Sequence, residues 1–141
     1  MTRHGSSDEQ LGRVPLFEGL SKKQLSQVTS LMTRVNIPAG DVLARQGEIG
    51  REFVILLEGQ VEVACDGDVI AVRGPGEYIG EIALIDERPR TATVTATTDV
   101  AAEVLNRAEF VTLLADAPEL SSQLTATMSR RLAELESESG L

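Results

Sequence analysis

The chain has no tryptophan, one cysteine (Cys65), one histidine (His4) and one tyrosine (Tyr78), and aromatics make up only 3% of its 141 residues. Each shortage excludes something. A lone cysteine rules out a disulfide framework within the chain. One cysteine and one histidine cannot supply a Cys/His zinc set, nor the His-rich ligand set of a β-roll metalloenzyme, so no metal is expected. A cysteine–histidine nucleophile would have to recruit His4 from a polar N-terminal tail, and no catalytic residue is assigned. Positive charge is scarce as well. Thirteen Lys and Arg against 22 Asp and Glu leave a net charge of -9, the reverse of the basic footprint of a nucleic-acid binder. No apolar run approaches the length of a membrane span, and Met1 to Gln10 is too polar for a signal peptide. The expectation is a cytoplasmic chain without a membrane partner, a binding or interaction module and not an enzyme.

What is present is enough apolar material for one core. Hydrophobic residues make up 42% of the chain, and a chain of this length buries roughly two-thirds of its unfolded surface. The charge is unevenly spread. Residues 1–45 carry six basic and four acidic groups, whereas residues 46–141 carry seven basic and eighteen acidic. An acidic body repels phosphates, so any anion held there needs a specific local device.

The pattern along the chain changes twice. Residues 1–13 read as a flexible tail in which Asp8 to Arg13 starts a short helix that Pro15 interrupts. Ser21 to Gln24 has capping-box spacing, and Leu25, Val28, Leu31 and Met32 recur at helical intervals, predicting a helix over 22–33. From Val35 to Asn106 the segments become short, rich in Val, Ile and Thr, and punctuated by Gly or Asp. Strands are expected at 42–44, 53–57, 61–63, 69–72, 91–96 and 100–105, with Glu58-Gly59 and Asp66-Gly67 as turns. After Asn106 the helical period returns: Phe110 to Leu114 form a short helix that Pro118 closes off, and a longer helix follows. The fold class is α+β, an antiparallel β-roll flanked by N-terminal and C-terminal helices, with the domain over 14–136 and an acidic tail at 137–141.

One segment of the roll is not a strand. Gly74 to Gly80 is a Gly/Pro loop that leads into one helical turn, Glu81 to Ile85, followed by the loop Asp86 to Arg90. A helix start offers unpaired N–H groups, Gly80 lets backbone approach closely, and a guanidinium such as Arg90 can pair phosphate oxygens. A carboxylate at Glu81 can accept hydrogen bonds from a sugar hydroxyl. Together these residues describe a pocket for a sugar phosphate of single negative charge. Arg88 reads as a solvated loop charge, Cys65 as a small strand side chain, and Tyr78 as wall packing.

Ile79 to Leu84 followed by Pro89 to Val94 (IGEIAL and PRTATV) resembles the phosphate-binding cassette of cyclic nucleotide-binding domains, F-G-E-[LIM]-A-L and P-R-x-A-[ST]-V. The resemblance extends to Pro15–Leu20, Pro38–Leu43, Gln46–Glu48 and Leu57–Val63, and covers about residues 14–135. The chain departs from the pattern at Ile79, where Phe or Tyr is commoner; the substitution stays apolar. The resemblance implies that Glu81 binds the ribose 2′-OH and Arg90 the exocyclic phosphate, while backbone N–H groups around Gly80, Ile82 and Ala83 complete the anion cradle. It implies that Thr91 touches phosphate and purine; a Thr there discriminates only weakly between cAMP and cGMP. The expected ligand is cAMP ahead of cGMP, with no other cofactor.

In the last helix Leu120, Leu124, Met128, Leu132 and Leu135 fall within roughly 120° of one another at about 100° per residue. Arg131 lies inside that stripe and Arg130 off it. In some bacterial members of that family an arginine from this helix stacks on the purine, and counting from the cassette that lid position falls near Arg131. The stripe serves equally as a lid or as the seam of a homodimer. Movement of these helices is the expected output to an effector protein or domain that the sequence does not name. The alternative is the sensory half of a catabolite-activator-type transcription regulator. Its DNA-reading helix-turn-helix would have to follow the long helix, so no nucleic-acid binding is expected of this chain alone.

Overall fold

Among the described residues, eight short strands rich in β-branched residues pair antiparallel into two four-stranded sheets. They are β1 (Thr33–Ile37), β2 (Val42–Ala44), β3 (Glu52–Glu58), β4 (Val61–Cys65), β5 (Asp68–Arg73), β6 (Tyr78–Ile79), β7 (Thr93–Ala96) and β8 (Val100–Asn106). One sheet runs β1-β8-β3-β6 and the other β2-β7-β4-β5. The computed structural model describes residues 8–84 and 86–139, and the side chains of 131, 132 and 135–139 lie outside the described residues. The chain divides into two compact units, Leu31–Arg107 and the pairing of Met1–Ser30 with Ala108–Leu141.

In the roll, alternation decides which side chains join the shared core, while Phe53, Ile55 and Leu105 on the other face of β3 and β8 are buried too. Val54 and Leu56 of β3, Val61 of β4, Val94 and Ala96 of β7, and Val100 and Ala102 of β8 form one buried aliphatic cluster with Ala44. Val35 and Ile37 pack against it from β1. Small, β-branched side chains suit a pleated surface. The β4–β5 turn is Asp66-Gly67, where both residues take positive φ (53° and 89°), the conformation that a two-residue hairpin with right-handed strands requires.

Three boundaries differ from the sequence reading. The first helix, α1 (Lys22–Thr29), carries its capping box, Ser21 Oγ accepting from Gln24 N–H at 3.1 Å, but stops four residues early. Thr33, Val35 and Ile37 pair with Val104, Ala102 and Val100, so the strand claims residues that Leu31 and Met32 had made look helical. The strand expected from Thr91 begins at Thr93, and Thr91 and Ala92 form a bend. β6 lies inside the expected Gly74–Gly80 loop. It is two residues long and is held by Val54 opposite Ile79 and Ile55 opposite Tyr78.

In the helical unit, residues 8–11 form a helical turn and Leu11 is fully buried, so the chain is structured well before residue 14. A 3₁₀ turn (Pro15–Phe17) places Phe17 edge-on to Phe110, with centroids 6.3 Å apart. Phe110 belongs to α2 (Arg107–Asp116), and α3 (Pro118–Ser139) follows. Pro118 opens α3 instead of merely closing α2, which fits a residue whose missing N–H costs nothing in a first turn. Leu120 and Leu124 are buried in the expected stripe, and Gln123 Nε2 donates to the Gly19 carbonyl at 2.6 Å. α3 continues through residues 137–139. The lid expectation at Arg131, like the stripe at Leu132 and Leu135, falls on side chains outside the described residues, as does all of His4.

Candidate functional site

The site grows from β6. Tyr78 tilts against Phe53 with ring centroids 6.1 Å apart, and the chain then turns at Gly80, whose φ is +78°. A 3₁₀ turn follows (Glu81–Leu84), closed by Ala83 N–H donating to the Gly80 carbonyl at 3.0 Å. The expected turn runs from Glu81 to Ile85; Glu81–Leu84 takes the tighter 3₁₀ form. Asp86 N–H donates to the Ile82 carbonyl at 2.9 Å, and Ile85 lies outside the described residues. Glu81, Ala83 and Leu84 are buried, and Ile82 is half-buried.

Beyond the turn the loop returns along a second segment, residues 47–50, which lies antiparallel to residues 88–90. Arg90 N–H donates to the Glu48 carbonyl at 2.7 Å, and the Arg90 carbonyl accepts from Gly47 N–H at 2.8 Å. Gly50 N–H reaches the Arg88 carbonyl at 3.2 Å, and Ile49 bridges Pro89. This strap is itself pinned. Gln46 exchanges two hydrogen bonds with Asp66, donating to its carboxylate at 2.8 Å and accepting from its N–H at 2.9 Å. Gln46 N–H also donates to Thr93 Oγ1 at 3.0 Å.

The strap holds the Arg90 side chain as well as its backbone. Arg90 Nη2 donates to the Glu52 carbonyl at 2.8 Å, across 38 residues of sequence. Its guanidinium lies over Gly50 and Gly80, where a Cβ would collide with it. Burial pushes the Arg90 pKa below the ordinary arginine value, partly opposed by the charge of Glu52. An arginine so perturbed still keeps its proton at neutral pH. The group is therefore a fixed, partly desolvated cation in an otherwise acidic body, and electrostatic attraction at such a place is stronger than at an exposed one.

Gly80 and Arg90, ten positions apart, are in direct contact. Glu81, Ile82 and Ala83 follow in the same turn. Thr91 is exposed on the bend directly after Arg90. Arg131 belongs to the other compact unit. Arg88 is not simply solvated: its Nε and Nη2 donate to Asp86 Oδ2 at 2.8 and 2.5 Å. Two site residues escaped the sequence reading, Gly50 and Glu52. An isolated glycine just before a strand is a signal of close backbone approach; a carbonyl carries no sequence signal. Among the described residues no group of three or more His, Cys, Asp or Glu could hold a metal, and no helix is long and apolar enough to cross a membrane. The chemistry on offer is capture of a compact anion.

A family model described as the cyclic nucleotide-binding domain matches residues 34–117. The CRP-like cAMP-activated global transcriptional regulator of Mycobacterium tuberculosis is 32% identical over 130 residues, covering 89% of this chain and 58% of the regulator. This chain thus spans little more than half of that relative's length. Among solved structures, the N-terminal domain of a transcriptional regulator from Streptomyces coelicolor A3(2) superposes with a TM-score of 0.80 at 34% identity, covering 93% of this chain and 94% of that one. The regulatory domain of Toxoplasma gondii PKA, crystallised with cAMP, gives a TM-score of 0.71 at 31% identity over 79% of this chain and 44% of that one.

Proposed function

The chain belongs to the cyclic nucleotide-binding domain family, and from that premise we propose that it is a regulatory module that binds cAMP, ahead of cGMP, without turning it over. The observation that carries the reading is the fixed, partly desolvated Arg90 in the cassette of an acidic chain. A cyclic nucleotide presents one negative charge, on a compact phosphodiester, and Arg90 is the residue to take its exocyclic oxygens. Glu81 accepts the ribose 2′-OH, and Thr91 touches phosphate and purine. Backbone N–H groups at Gly80 and Ile82 line the phosphate together with that of Ala83, which gives up its bond to the Gly80 carbonyl to do so. The family resemblance offers Arg131 as a purine lid, and its side chain lies outside the described residues.

Coupling to the C-terminal helices follows from differential binding: the nucleotide must contact one arrangement of those helices more than another. Calorimetric titration with cAMP and cGMP tests the module itself. Saturable heat supports it, and no binding at high micromolar ligand removes it. Light scattering with and without ligand tests the coupling to a homodimer along α3.

A second reading, the sensory half of a catabolite-activator-type transcription regulator, is favoured by the coverage of the M. tuberculosis regulator and the S. coelicolor N-terminal domain. The complete gene decides between the two. Coding sequence for a helix-turn-helix beyond Leu141 supports the regulator, and its absence leaves a stand-alone module with an effector elsewhere.

A further inference from the structure

Gly50 was singled out by no motif, yet it is buried and lies on Arg90. A Cβ at this position would sit 2.7 Å from Arg90 Nε, 2.8 Å from Cζ and 3.0 Å from Cδ. Three successive atoms of one side chain occupy the space that any other residue would need. Gly50 does not owe its presence to backbone conformation: unlike Gly80, its φ lies outside the left-handed region. Nor can the Arg90 backbone yield, because both its N–H and its carbonyl are bonded to the strap at Glu48 and Gly47. A side chain at position 50 would therefore displace the guanidinium and little else.

We infer that Gly50 is a positioning residue for the anion-binding arginine: its missing side chain is the slot that aims Arg90 at the ligand. This rests on the cAMP reading above for its ligand, but not for its geometry. Gly80 performs the complementary role from the cassette side, where a Cβ would meet both Arg90 Nη1 and the Glu52 carbonyl. Strain at its positive φ makes Gly80 the less clean position to probe.

The test is a double-mutant cycle over Gly50→Ala and Arg90→Ala, read in two ways. In calorimetric titration with cAMP, Gly50→Ala raises Kd by about tenfold or more when Arg90 is present and has no further effect in the Arg90→Ala background. Wild-type affinity in Gly50→Ala, or the same fold-loss in both backgrounds, overturns the inference. In ligand-free thermal unfolding, Gly50→Ala lowers Tm when Arg90 is present. In the Arg90→Ala background it holds or raises Tm, because alanine restricts the unfolded chain more than glycine. An equal fall in both backgrounds overturns the inference. Should Gly50→Ala fail to fold, rescue by Arg90→Ala supports the inference and failure to rescue overturns it. A wild-type chain that binds neither cAMP nor cGMP removes the nucleotide reading alone, and the ligand-free cycle still decides the role of Gly50.

Discussion

Between the sheets, Val54, Leu56, Val61, Val94, Val100 and Ala102 form a buried aliphatic cluster, whereas at the strap and cassette a guanidinium lies on Gly50 and Gly80 and is fixed by a main-chain carbonyl. The first region works by filling volume. The second works by leaving it empty at two positions and using polar groups that almost any residue would supply. The roll interior should accordingly tolerate apolar exchange and resent truncation. The Arg90 site should tolerate loss of its charge structurally but not functionally.

The largest expected effect separates these demands. Arg90→Ala should weaken cAMP binding by about 2–5 kcal/mol, the usual cost of removing one partner of a desolvated charge pair. Ligand-free stability, measured by urea unfolding, should change by only about 1 kcal/mol, since one side-chain hydrogen bond is lost. A fall in stability as large as the fall in affinity would erase the distinction between the regions. Leu56→Ala is the converse. Leu56 is fully buried in the cluster, so truncation should cost about 2–4 kcal/mol of unfolding free energy. The folded fraction should still bind cAMP with wild-type affinity; a large loss of affinity would show that the interior sets the site geometry directly.

The two regions also differed in how much of them could be read before the fold was known. Strands β2 to β5 and β8 announced themselves as short runs rich in Val, Ile and Thr bounded by Gly or Asp turns, although β3 and β8 are buried on both faces and show no period of two. β1 did not, since Leu31 and Met32 carry the helical period up to the residue where pairing with β8 begins. β6 is too short to have a period and exists through β3. At the site, Gly80, Glu81 and Arg90 were legible because both halves of the cassette stand in register. Gly50 and Glu52 were not, since their part depends on contacts with Arg90 across 40 and 38 residues and, for Glu52, on a carbonyl common to every residue.

A smaller effect asks whether polar fixing as such matters. In the turns away from Arg90, Asp99 Oδ1 accepts from Ala39 N–H at 3.0 Å in an exposed setting. Asp99→Ala should cost about 1 kcal/mol or less in urea unfolding and leave cAMP affinity unchanged. A larger loss would mean that turn contacts contribute to stability on the scale of the interior.

The smallest effect is expected two residues from the largest. Arg88 and Arg90 share a loop and a chemistry but differ in what holds them. Arg88 pairs with Asp86, its neighbour in the same loop, and both side chains are more than a third exposed (40% and 37%). Solvent screens such a pair, and its worth is about 0.5 kcal/mol or less. Arg90 is held by a carbonyl from another strand, over two glycines, with its backbone tied on both sides. Arg88→Ala should thus leave both urea midpoint and cAMP titration close to wild type, while Arg90→Ala abolishes tight binding. If Arg88→Ala weakened binding nearly as much, net positive charge in the loop, and not the fixed direction of one guanidinium, would be what the ligand reads. In that case raising the salt concentration should weaken binding steeply, because exposed charges are screened within about 8–10 Å; a site that works through Arg90 in its slot should lose far less affinity.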